Sequence, residues 1–85
     1  MKWTNIKTPT YDGWNAERTS KHGVRRVARV SLSKMSGLPR IRYGVSVEAW
    51  TNLNKTKEQG RTLPTYKEAK KVANQYRKEV EQMWG

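Results

Sequence analysis

The chemistry in this 85-residue chain is gathered in its arginines. Residues 24–44 hold Arg25, Arg26, Arg29, Lys34, Arg40 and Arg42 and no acid, so six of the eleven net positive charges fall in that stretch. Charge collected on one element adds its field at one place and can neutralise several phosphates of a single partner. Guanidinium groups suit paired contacts to phosphates and guanine edges better than ammonium groups do. Nucleic acid is therefore the expected partner, with double-stranded DNA favoured. Stacking platforms for unpaired bases want two or three exposed aromatics, and only Trp50 falls on the expected binding face.

Other chemistries find little support. The seven acids (Asp12, Glu17, Glu48, Glu58, Glu68, Glu79, Glu81) are scattered, whereas acid–base catalysis needs positioned pairs. There is no glycine-rich phosphate loop, no second histidine to join His22, and no cysteine. Disulfides, thiolate metal sites and a zinc site are thereby excluded. A non-enzymatic protein without cofactor or metal is expected. No apolar run approaches the roughly 20 residues of a membrane span, and residues 1–13 carry no apolar h-region. The expectation is a cytoplasmic protein with no membrane partner.

The elements that must position the arginines follow from periodicity. Tyr66, Ala69, Ala73, Tyr76, Val80 and Met83 recur at spacings of three and four, one apolar stripe of a helix over 66–84. Thr65 followed by Glu68 is a capping box at its start. Ile41, Tyr43, Val45, Val47 and Ala49 alternate with polar residues, as a half-buried strand does. Val24, Ala28, Val30 and Leu32 alternate likewise. Ser36-Gly37 and Pro39 mark a longish turn over 33–40 between these two strands. Residues 14–19 make a further candidate strand, joined through a short turn at 20–23.

Only 34% of the residues are hydrophobic and mean hydropathy is -1.04, a composition that borders on disorder. Four tryptophans and four tyrosines supply enough bulk for a thin core. The expected fold is α+β: a small antiparallel sheet of two or three strands packed against one C-terminal helix. Residues 1–13 read as an extended N-terminal arm, 14–85 as a single domain, and 51–63 as a long polar loop. The sheet face turned away from the helix would present Arg25, Arg29, Arg42, Ser31, Ser33, Ser46 and Trp50. Lys34 and Arg40 at the hairpin, and Lys55, Lys57 and Arg61 in the long loop, would add phosphate contacts. Arg26 interrupts the apolar side of its strand near the start, where it could still reach solvent.

Three antiparallel strands, one helix and a basic outer face resemble the plant AP2-type DNA-binding domain and the arm-binding domains of phage integrases. Leu63, Thr65, Glu68 and Ala69 fit that family's helix-start pattern, and Val72 and Ala73 continue its small apolar face. The resemblance implies that the sheet enters the DNA major groove, with Arg25, Arg29, Arg42 and Ser31 as the reading positions. Gly60 stands one place early for the family pattern, the 51–63 segment is longer, and the Trp-bearing arm has no counterpart there. The alternative partner is an acidic protein surface. Small, Cys-free, basic, Trp-rich phage or mobile-element accessory proteins would dock so on a polymerase or nuclease. The sequence carries no sign of oligomeric state.

Overall fold

The computed structural model describes residues 1–37 and 40–85. The chain forms five strands and a helix: β1 (Thr4–Thr8), β2 (Tyr11–Thr19), β3 (Arg25–Ser36), β4 (Ile41–Thr51), β5 (Asn54–Leu63) and α1 (Tyr66–Trp84). Each strand pairs antiparallel with the next, so the sheet is a meander in the order β1-β2-β3-β4-β5. The α+β class stands, but the sheet has five strands where two or three were expected. The supposed arm contributes β1 and the start of β2, and the supposed loop over 51–63 is chiefly β5.

The three central strands bury alternate residues, as their periodicity requires. Trp14, Val30 and Val47 lie in register across them, and so do Ala16, Ala28 and Ala49. These rows pack on Ala69, Ala73, Tyr76, Val80 and Trp84 of α1 to form one core. The arm's Trp3 packs against that core and donates from its indole to Glu81 of the helix at 3.3 Å. Arg77 and Lys70 of α1 stand over the Trp14 ring, at 4.4 and 5.5 Å from its centroid. Their cationic heads cover the outer edge of the core by cation–π attraction. In so thin a core a single buried aromatic matters; truncating one to alanine costs about 3–5 kcal/mol.

Both edge strands escape period-2 reading for the same reason. β5 (NKTKEQGRTL) has no apolar residue before its last, the buried Leu63, and the one large apolar residue of β1 (TNIKT), Ile6, is exposed. Charged, two-sided edge strands resist pairing with other chains. On the helix side of β5, Lys57 lays its stem beside α1 and pairs with Glu79 at 2.9 Å, so an aliphatic stem replaces the missing apolar residue. A bulge between Ala49 and Trp50 sets Trp50 opposite Lys55 rather than Thr56. The Thr56 hydroxyl donates to the Ala49 carbonyl at 3.3 Å. The bulge reverses the alternation of β5, and Lys55 and Glu58 emerge on the same face.

Turn chemistry locks the ends. Asn52 takes φ 55 between β4 and β5, a left-handed conformation that Asn tolerates. Its side chain accepts from the Arg25 amide at 3.1 Å, and its own amide donates to the Arg25 carbonyl. The 33–40 turn is shorter than expected, because pairing runs to Ser36 and Ile41. Pro39, one of its turn signals, lies outside the described residues. Thr65 caps α1, accepting from the Glu68 amide at 3.2 Å. No helix among the described residues is long and apolar enough to cross a membrane.

Candidate nucleic-acid interface

The helix covers one face of the sheet and leaves the other open. Register decides which basic residues share that open face. Arg29 is opposed by Asn15 on one side and Glu48 on the other, Arg42 by Met35, and Arg25 by Thr19. With Lys55, turned outward by the bulge, Arg25, Arg29 and Arg42 are the expected residues on this face. Arg26, Lys34, Lys57 and Arg61 lie on the helix side, in register with Thr51, Tyr43, Ala49 and Val45. Arg40 immediately precedes β4. The nine residues singled out from the sequence therefore divide between two faces and do not form one surface.

Arg26 is part of the scaffold. It is half-buried and donates from Nη1 to the Trp84 carbonyl at 3.4 Å, with Arg18 beside it doing the same at 3.2 Å. The position that seemed to interrupt the apolar side of β3 satisfies the helix C-terminus, where unpaired carbonyls favour cations. Lys57 is tied to Glu79, and the hydrogen bond from Lys57 holds the Glu79 carboxyl below the usual carboxylate range.

The open face is not uniformly basic, because β2, β4 and β5 bring acids onto it. Arg25 donates through Nε to Glu17 at 2.6 Å; that bond raises the Arg25 pKa and lowers that of Glu17. Glu48 and Glu58 are directly opposed across β4 and β5. Such like charges repel, and Lys55 joins them, 3.4 Å from Glu48 and 2.6 Å from Glu58. The bond to Glu58, with Glu48 beside it, raises the Lys55 pKa. The same ammonium sits over the Trp50 ring at 5.7 Å, so the one tryptophan of this face is already capped by a cation. At this end three carboxylates (Glu17, Glu48, Glu58) offset three cations (Arg25, Arg29, Lys55).

The opposite end of the sheet differs. The β3–β4 ribbon continues past the last pairs of its neighbours, Tyr11↔Ser33 and Tyr43↔Leu63, to Ser36↔Ile41. Lys34, Arg40 and Arg42 form no ion pair or side-chain hydrogen bond among the described residues. Met35 and Ile41 accompany them, each about half exposed. Below Arg42 the open face has a floor of small residues: Ser31, Ser33, Gly44, Ser46 and Gly60. Tyr11 lies across Gly13 with its hydroxyl 3.2 Å from that of Ser31, and a Cβ at Gly13 would strike the Tyr11 ring.

Sequence reasoning missed Lys7. The β1–β2 turn brings it beside Lys34 on the rim of a cavity of about 280 Å³ that also includes Asp12, Tyr43 and Tyr66. Asp12 is 3% exposed and accepts from the Tyr66 hydroxyl at 2.9 Å, a bond that raises the Tyr66 pKa. No signal in β1 announces this placement, since its alternation carries no apolar face. No group of three His, Cys, Asp or Glu side chains that could hold a metal occurs among the described residues. No protein-family model matches the chain, and neither does any curated protein or solved structure.

Proposed function

We propose that this chain is a non-enzymatic nucleic-acid-binding protein that grips duplex DNA with the projecting end of the β3–β4 ribbon. The observation that carries the reading is the set of cations there without an ion pair, Lys34, Arg40 and Arg42; Lys7 of β1, opposite the Tyr66-bonded Asp12, adjoins them. A two-stranded ribbon fits the B-DNA major groove. The small residues Ser33, Ser46 and Gly60 below Arg42 let a sugar–phosphate backbone approach the sheet beside Met35, whose side chain lies over Gly44. Arg29, also without an ion pair of its own, adjoins these small residues from the other side. Arg25 and Lys55 are outer contacts, each competing with a carboxylate already in place.

The test is duplex binding by fluorescence anisotropy at about 50 and 200 mM salt, with excess poly-glutamate as competitor. Three phosphate contacts give a log–log salt slope of about -2.7, or roughly a fortyfold loss over that range. Binding that resists the polyanion and follows such a slope supports the reading. Binding that poly-glutamate abolishes rejects it. The partner would then be an acidic protein surface, which Met35 and Ile41 at the same end would also serve.

A further inference from the structure

At the end of the sheet away from the ribbon, Arg18 of β2 and Arg26 of β3 are direct cross-strand partners. Like charges in that relation destabilise a sheet. Both send one N–H to the same Trp84 carbonyl. A helix C-terminus presents the equivalent of about half a negative charge; Arg18 also borders a neighbouring cavity with Glu17 and Glu81, but neither arginine forms an ion pair among the described residues. Each guanidinium has five N–H donors, and one of each is used. Ser20, Val24 and Trp84 join the two arginines in lining a cavity of about 360 Å³ with no acid in its wall. The Trp84 indole Nε1 is buried and has no acceptor among the described residues. The Ser20 hydroxyl accepts from the amides of His22 and Val24, which leaves its hydrogen available to donate.

Every polar side chain at this cavity thus has hydrogen to give, and two of them are cationic. We propose that the cavity is an oxyanion site that takes a phosphate group. Arg18 and Arg26 hold it, the Ser20 hydroxyl stands beside them, and the Trp84 side chain forms part of the wall. Two neighbouring guanidiniums offer more paired N–H donors than one carboxylate can accept, which suits a phosphate. Charge-assisted bonds from paired guanidiniums are among the strong hydrogen bonds of proteins. The site is separate from the ribbon: Arg26 and Lys34 are eight residues apart on β3, roughly 27 Å at strand rise. It does not depend on the ribbon's binding DNA.

The experiment is a titration of the nitrogen-labelled full chain with inorganic phosphate, at ionic strength held constant with chloride, following the four indole N–H signals by NMR. A saturable shift of the Trp84 signal is expected, with Trp3, Trp14 and Trp50 little changed. In Arg18→Gln/Arg26→Gln the apparent affinity should fall at least tenfold. Native positions of the other indole signals report that this variant is folded. If it is not, Arg18→Lys keeps the charge, loses the fork, and should weaken binding severalfold. Trp84→Phe assigns the signal. A shift that does not saturate, or one that the arginine changes leave intact, overturns the proposal. Duplexes with and without a terminal phosphate then name the source. Displacement of inorganic phosphate by both points to backbone phosphate, by the phosphorylated one alone to a strand end, and by neither to a free phosphate compound; all three uphold the site. Arg40→Ala/Arg42→Ala should leave the response unchanged, so loss of ribbon binding and loss of this site are read separately.

Discussion

The three open-face cations toward the β2–β3 turn and the three cations of the β3–β4 ribbon stand in opposite electrostatic surroundings. Toward the β2–β3 turn, Arg25 is bonded to Glu17, Arg29 faces Glu48, and Lys55 bridges Glu48 and Glu58. Toward the β3–β4 turn, Lys34, Arg40 and Arg42 stand on a ribbon that runs past its neighbours, and no acid pairs with them among the described residues; Asp12, which shares a cavity with Lys34, is bonded to Tyr66. Charge density along a chain and charge density on a surface are different quantities. An antiparallel sheet places residues far apart in sequence within a few ångströms of one another, so each central strand takes on its neighbours' charges. Where the neighbours end, the linear charge survives as a surface charge. A phosphate partner should therefore distinguish the two ends although their arginines look equivalent in sequence.

Removing the cations of the ribbon should have the largest effect. Arg40→Ala/Arg42→Ala is expected to weaken duplex binding by about one to two orders of magnitude and to flatten the salt slope by about 1.8. Anisotropy titrations at several salt concentrations read both quantities, and unchanged affinity would remove the ribbon from the interface. Next, Glu17→Gln/Glu48→Gln/Glu58→Gln should convert the compensated end into a basic one. Duplex affinity is expected to rise by roughly three- to tenfold, with a steeper salt slope. No change would mean that this end never approaches DNA.

Arg25→Ala/Arg29→Ala should cost less than about threefold in affinity, since one cation is already paired and the other faces a carboxylate. A loss as large as that of the ribbon variant would erase the distinction between the ends. The smallest effect is on stability. The Glu17 carboxyl is held below its ordinary range by the bond from Arg25. A lowered carboxylate pKa contributes stability above the unfolded value and loses it as pH falls through the folded value. Arg25→Ala should therefore lower Tm slightly at neutral pH, and variant and wild type should converge in acid. Arg42→Ala should show no such convergence in the same pH series of thermal melts.

Helix and central strands were legible because burial leaves a period. The Tyr66–Trp84 stripe and the alternations of β3 and β4 record the core they form. The edge strands left no such record. β5 spends its helix-side positions on Lys57, Gln59 and Arg61, and β1 has Asn5 and Lys7 there, so neither alternates in hydropathy. The candidate site was half legible for the same reason. Alternation correctly places Arg25, Arg29 and Arg42 on the open face, while the acids that oppose two of them arrive from β2 and β4. Lys55 reaches that face only through a bulge, which no periodicity records. Arg26 looked like a defect in an apolar side until the helix end gave it an acceptor.

The helix is fastened at both ends to β2. Tyr66 in its first turn donates to Asp12 at one end of that strand, Arg18 near the other end reaches the Trp84 carbonyl, and Trp14 between them lies under Lys70 and Arg77. The nineteen residues of α1 thus close onto the second strand of the sheet, 54 to 66 positions earlier in the chain. Sheet pairing between consecutive strands is local and can proceed during synthesis, but its apolar face stays wet until residue 84 is in place. Folding of this protein should accordingly finish in one late step, gated by the longest loop closure in the molecule. A nascent chain stalled before that step would present Val30, Val47 and their neighbours to whatever else the cell holds.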